Sequence, residues 1–286
     1  MNKSRPPGKL KQRVLTALFL LLLVIAAMVY LPSLWLAVVF GAFILFAGWE
    51  WAALSGFSAT APRLVYIVAL GLGGAIGFWT IERLPNATLV VLIVAICWWI
   101  WAFFDLVRHP RAATGVFGST TGKLFAGMLV LLPPWLAVIY LHRTDSMSPA
   151  VMLFLFAVVW IADTSAYFVG RAWGKTRLAP GVSPGKTVEG LVGALAAVIV
   201  VAYFCGTMIW KLQARMLFTW VVVAVLALFF SVLGDLVESK VKRLADMKDS
   251  GNWLPGHGGV LDRIDALTAA APTFALGWML FLRPEA

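Results

Sequence analysis

The chain has 286 residues, of which 62% are hydrophobic and only 13% charged, with a mean hydropathy of +0.91. A water-soluble domain of this length needs roughly twice that charged fraction to keep its surface wet, so an ordinary soluble enzyme is excluded. The net charge is +10, but the basic residues are scattered among short connections and form no stripe interleaved with exposed aromatics. Membrane orientation and anionic membrane lipid explain them, and nucleic acid is not an expected partner.

Apolar windows of about 18–20 residues, each long enough to cross a hydrocarbon core of roughly 30 Å, recur along the chain. They predict an all-α, polytopic integral membrane protein of about nine transmembrane helices. In chain order these are Val14–Leu31, Leu34–Leu54, Leu64–Ile81, Ala87–Phe104, Leu124–Leu141, Pro149–Gly170, Val188–Trp210, Met216–Asp235 and Asp265–Leu282. Lys3, Arg5, Lys9, Lys11 and Arg13 precede the first span as in a signal peptide. The cleavage context is poor and another span follows Pro32, so a retained signal-anchor is expected. Tryptophans 35, 49, 51, 79, 98, 99, 101 and 135 sit near span ends and read as interfacial anchors. Gly71, Gly73, Gly74 and Gly77 have the small-residue spacing that lets helices approach. Cys97 and Cys205 lie in apolar runs with no metal-ligand or disulfide spacing and read as small buried hydrophobes.

Nine alternating spans with a cytoplasmic N-terminus put 18 of the 23 basic residues inside and leave Arg83, Arg143, Lys211, Arg215 and Arg283 outside. The division is then a basic cytoplasmic tail at 1–13, N-terminal transmembrane helices at 14–141, and a C-terminal catalytic transmembrane region at 149–286. Cytoplasmic loops are expected at 171–187 and 236–264. The short basic tail suits a bacterial inner membrane.

Six of the 13 acidic residues fall between positions 235 and 265: Asp235, Glu238, Asp246, Asp249, Asp262 and Asp265. On a helix continuing out of the eighth span, Asp235, Glu238, Ser239 and Lys242 share one face. Asp262 and Asp265, again three apart, open the last span. Carboxylate pairs at a membrane surface can hold hard cations, and Mg²⁺ is the usual partner of phosphates. Between the pairs lies Pro255-Gly-His-Gly-Gly259, whose glycines let backbone amides approach an anion ahead of a helix N-terminus. Lys242, Arg243, Lys248 and Arg263 flank it. His257 reads as a loop-shaping hydrogen-bonder ahead of a general base.

A second cluster closes the sixth span, where Asp163, Tyr167 and Arg171 fall on one helical face. An acid in an apolar span is costly and marks a functional candidate, with a structural pair to Arg171 or Tyr167 as the alternative. The loop beyond contains Gly174-Lys-Thr176 and Gly185-Lys-Thr187. Each lacks the glycine spacing and the preceding strand of a P-loop. What remains is a basic loop rich in Gly, Ser and Thr and suited to phosphate contacts.

The run from Ser239 through Asp265 fits, without a gap, the pattern Ser-x-apolar-Lys-Arg, Lys-Asp-x-small, His-Gly-Gly-apolar-x-Asp-Arg-apolar-Asp. It resembles the phosphatidate cytidylyltransferase (CDP-diacylglycerol synthase) family, as do Asp163-x-x-Ala-Tyr-x-x-Gly170 and Ser183-Pro-x-Lys-Thr-x-Glu-Gly190. The resemblance is strong over the C-terminal half and one of architecture over the N-terminal half. It implies transfer of a cytidylyl group from CTP to phosphatidate, giving CDP-diacylglycerol and pyrophosphate, with Mg²⁺, room for a second cation, and a homodimer. On that reading Asp235, Asp262 and Asp265 hold metal, with Asp163 and Glu238 in support. Lys242, Arg243, Arg263, Asp249 and Ser239 serve catalysis. Arg171, Ser183, Lys186, Thr187, Lys248, Gly256, His257, Gly258 and Gly259 bind substrate.

Three other functions are alternatives. A CDP-alcohol phosphatidyltransferase needs an Asp-Gly-x-x-Ala-Arg run that is absent. A CTP-dependent polyprenol kinase differs in its products. A cation transporter needs acids near the bilayer midplane, where Asp163 alone is a candidate.

Overall fold

The computed structural model describes residues 22–84, 86–143, 148–253 and 258–282. Helix α1 is described over 22–30, so most of the first expected span lies outside the described residues, as does the 1–13 tail. There follow α2 (Ser33–Leu54), α3 (Thr60–Arg83), α4 (Ala87–Arg108), a 3₁₀ turn (Gly115–Gly118), α5 (Thr120–Arg143) and α6 (Ser148–Trp173). Two short strands, β1 (Arg177–Ala179) and β2 (Ser183–Thr187), pair antiparallel before α7 (Val188–Met208), α8 (Ala214–Leu244), α9 (Leu261–Gly277) and a closing π turn, Trp278–Leu282. Among the described residues eight helices are long and apolar enough to cross a membrane. The protein is an all-α polytopic membrane protein, and the loop expected at 171–187 carries its small hairpin.

Contacts between helix ends sort them onto two sides. The C-terminal ends of α2, α4 and α8 meet the hairpin and the start of α9, through Glu50 to Leu261, Lys240 to Asp105 and Lys186 to Asp235. On the opposite side the start of α2 meets the end of α5, where Ser33 Oγ lies 2.8 Å from His142 Nδ1. Arg143 pairs with Glu82 near the end of α3 on that same side. This is the alternation that spans of odd and even number require, and it gathers the polar motifs on one side.

The buried apolar residues form two cores. One joins α6, α7, α8 and α9 around Trp220 and Phe274. The other joins α2, α3, α4 and α5 to the last turns of α8 around Trp51, Trp99 and Phe117. Gly73, Gly74 and Gly77 face Leu132, Trp135 and Leu136 of α5 at 3.0–3.3 Å from where a Cβ would stand, as small residues at a helix crossing should.

Two expectations about apolar residues do not hold in the structure. Trp51 and Trp99 are fully buried and Trp98 nearly so, while the Trp51 and Trp135 indoles donate to Lys123 O and Ala37 O. Trp51, Trp98 and Trp99 are core residues and Trp135 packs half-buried against them, whereas Trp35 and Trp79 remain exposed as anchors should be. Cys97 is exposed and Cys205 only half-buried, so neither is a buried hydrophobe.

Candidate active site

Helix α8 has 31 residues, about 46 Å at 1.5 Å per residue, well beyond a hydrocarbon core of roughly 30 Å. Its polar residues from Asp235 onward lie in the last turns, and much of the loop expected over 236–264 is helix through Leu244. Asp235, Glu238, Ser239 and Lys242 share one face of this extension, as their spacing requires. Asp235 Oδ2 pairs with Lys186 Nζ of β2 at 2.6 Å, and Ser239 Oγ donates to Asp235 Oδ1 at 3.3 Å. One turn further on, Lys242 Nζ sits between Glu238 Oε2 at 2.5 Å and Asp262 Oδ1 at 2.6 Å. These side chains are largely buried, with Glu238 only 3% exposed.

The opening of α9 is held from several directions. Asp262 Oδ2 accepts from the amides of Ser250 (3.0 Å) and Gly259 (2.8 Å) and lies 3.0 Å from Ser250 Oγ. Gly258 has φ +81°, and a Cβ there would meet Asp262 Oδ2. Here glycine is required by both backbone and space. Gly258 and Gly259 thus close around a protein carboxylate, and in this structure the Gly259 amide is occupied. Gly256 and His257 lie outside the described residues. Asp249 comes close to Gly258, and Arg243 reaches back to Met247 O at 3.4 Å. Arg243, Lys248 and Asp249 are all exposed. Asp265 lies within electrostatic reach of Asp235, Asp163 and Lys242.

The hairpin is fixed at its base. Thr187 Oγ1 accepts from Gly190 N at 3.1 Å and caps α7, while Glu189 accepts from Thr176 N. A Cβ at Gly170 or Gly174 would meet the Thr187 side chain. Lys186, the residue before the cap, is aimed at Asp235 by this arrangement. Thr187→Ala is expected to cost about 1 kcal/mol, a usual loss for an N-cap. Thermal melting checks it, and Thr187→Ser should be close to neutral. Ser183 lies in β2, half-buried. Arg171 Nη1 donates to Tyr167 OH at 2.9 Å on an exposed face, so the structure brings Arg171 to Tyr167 and leaves it outside the charged cluster.

Against this cluster opens a cavity of about 620 Å³. Its wall is apolar over Phe40, Phe43, Trp160 and Leu267, with Asp163, Thr164 and Arg263 among its polar residues.

Could these residues hold a hard divalent cation? Glu238 Oε1 is buried with no hydrogen-bond partner among the described residues, and Asp163, Asp235 and Asp265 bring further carboxylate oxygens nearby. Among the described residues no three acidic, His or Cys side chains close on one point. That leaves one or two carboxylates per ion, the number Mg²⁺ commonly takes when substrate phosphates complete its shell. The donor set fits.

Three residues that the sequence reading passed over belong to the same region. Glu50 of α2 binds the start of α9, and Asp105 of α4 pairs with the fully buried Lys240. An acid within an apolar helix was the available signal for both Glu50 and Asp105.

Residues 11–281 match the model of the cytidylyltransferase family. A Pseudomonas aeruginosa protein named phosphatidate cytidylyltransferase is 39% identical, over 93% of this chain and 96% of its own length. One of the same name from Haemophilus influenzae is 34% identical over 96% of this chain and its own full length. A third, from Bacillus subtilis, is 42% identical over 47% of this chain. The chain belongs to the cytidylyltransferase family and is, with it, a nucleotidyltransferase.

Proposed function

We propose that the chain transfers the cytidylyl group of CTP to phosphatidate, releasing pyrophosphate and leaving CDP-diacylglycerol in the membrane, with the site facing the cytoplasm of a bacterial inner membrane. The observation that carries this reading is a junction. Arg263 and Asp163 line the apolar cavity, while their neighbours Asp262, Asp265 and Asp235 belong to the charged cluster. A lipid phosphate with acyl chains in the cavity would meet a nucleotide at such a boundary. Full-length similarity to proteins named for this reaction supports it.

The phosphatidate phosphate is already anionic, so its oxygen can attack the α-phosphorus of CTP without a strong base. One phosphorus–oxygen bond forms to the lipid phosphate and the bond to the β-phosphate oxygen breaks. The main cost is bringing two polyanions together, so positioning and charge stabilisation carry the catalysis. Lys186 and Lys242, fixed by their carboxylate partners, face the approaching phosphates, and Arg263 meets the lipid phosphate in the cavity wall. Exposed Arg243 and Lys248 attract the triphosphate, and Ser239 and Ser183 supply hydroxyl donors. Asp235, Asp265 and Glu238, with Asp163 beside them, would hold Mg²⁺, which when bound offsets charge on the triphosphate and its leaving group. Asp262, read from the sequence as a metal ligand, has Oδ1 engaged by Lys242 and Oδ2 by the Ser250 and Gly259 amides, and orders the start of α9 beside that site.

Purified protein in lipid nanodiscs with labelled CTP, phosphatidate and Mg²⁺ should release pyrophosphate and yield labelled CDP-diacylglycerol. Release of CDP with phosphorylation of a polyprenol instead would overturn the reading.

A further inference from the structure

We infer that Glu50 is a positioning residue of the active site: its carboxylate is a resident anion at the N-terminus of α9 and fixes the segment that presents Asp262 to Lys242. The inference rests on the nucleotidyl-transfer reading above for its catalytic consequence, and on geometry alone for the contact. Glu50 lies one turn from the end of α2 and is 2% exposed. Its Oε1 accepts from Val260 N at 3.0 Å and its Oε2 from Leu261 N at 2.8 Å. A helix N-terminus carries partial positive charge and unpaired amides, and a carboxylate satisfies both.

The contact does not end at the helix. Ser250 Oγ lies 3.0 Å from Glu50 Oε2 and 3.0 Å from Asp262 Oδ2, so its single hydrogen serves one acid at a time. Glu50, Ser250, Asp262, Lys242 and Glu238 thereby form one continuous polar chain from α2 to α8. The neighbouring glycines fit around it. A Cβ at Gly251 or Gly259 would strike the Glu50 carboxylate. Gly258 thus makes room for Asp262 and Gly259 for Glu50. An acid buried this deeply in a membrane protein is costly, and here its hydrogen bonds go to Ser250, Val260 and the first residue of α9.

The test uses the full chain in nanodiscs with Glu50→Gln and Glu50→Asp. Glu50→Gln removes one acceptor and the charge while keeping the shape. Its kcat should fall about 10- to 100-fold, the usual loss for a group that orients the residues in contact with the reacting species. The KM for CTP should stay within about 3-fold, since a positioning group acts mainly on the transition state. Backbone hydrogen exchange across 259–261 should quicken, and Glu50→Asp should recover part of both. The exchange measurement needs no substrate. If the parent protein makes no CDP-diacylglycerol but Glu50→Gln still loosens 259–261, the reaction assignment fails and the contact stands. Parent-like exchange and turnover in Glu50→Gln would overturn the inference. So would a loss of activity that only tracks loss of folded protein, with exchange at 259–261 unchanged.

Discussion

Lys242→Met is expected to remove turnover almost completely and to lower stability by about 3–5 kcal/mol, the range for stripping one partner from a buried ion pair. The ammonium sits 2.5 Å from Glu238 and 2.6 Å from Asp262, with its side chain 11% exposed. Two nearly buried carboxylates share that one cation, and its loss leaves both facing each other in a poorly solvated space. The kinetic loss has a second cause. Lys242 is the cation that the Glu50–Ser250–Asp262 chain holds in place, and removing one fixed donor from a charge-stabilising site costs about 100- to 1,000-fold in kcat. Lys242→Arg keeps the charge but spreads it over a planar fork that does not fit the space of a point charge. It should retain more stability than activity. Thermal melting in detergent and turnover of CTP measure the two effects separately. Parent-like melting in Lys242→Met would show that the two carboxylates do not depend on this cation.

How much of this region is legible in the sequence depends on distance along the chain. The face carrying Asp235, Glu238, Ser239 and Lys242 follows from helical spacing alone, and the α8 extension carries it as read. The pairing of Asp262 with Lys242 across 20 residues is half-legible, since both belong to one recognisable run. Glu50 is different in kind. Its partners Val260 and Leu261 are 210 and 211 residues away, and no local pattern encodes that meeting. Gly258 and Gly259 show how the protein's own groups can enter a pattern that the sequence reads as a substrate site. Their spacing implies amides that bind an anion, and in the structure the Gly259 amide is taken by Asp262 of the protein itself. Trp51, Trp98, Trp99 and Cys97 mark a further limit. In a membrane, lipid-facing and core-facing side chains are equally apolar, so hydropathy predicts the spans and leaves their orientation to packing.

The pair formed by Lys240 and Asp105 gives the second large effect, and its expected outcome has the form of a cycle. Lys240 Nζ lies 2.6 Å from Asp105 Oδ2, with side-chain exposures of 0% and 7%, and stands 5.2 Å from the centre of the Phe117 ring. Thr114 Oγ1 donates to Asp105 Oδ1 at 3.4 Å, and His109 Nδ1 lies 3.7 Å from the same oxygen. The charge of Lys240, which the topology count assigns to a cytoplasmic loop, is thus buried between α4 and α8. Lys240→Met alone strands a buried carboxylate, and Asp105→Asn alone strands a buried ammonium. Each should cost about 3–5 kcal/mol. The double variant strands neither, so its cost should fall well below the sum of the two, a coupling measurable by melting. Lys240 points away from the face that carries Asp235 and Lys242, so the double variant should also regain turnover as it regains stability. Recovery of stability without recovery of turnover would show instead that this charge pair sets the register of α8 at the active site, because an apolar replacement fills the space but does not fix one alignment of the two helices.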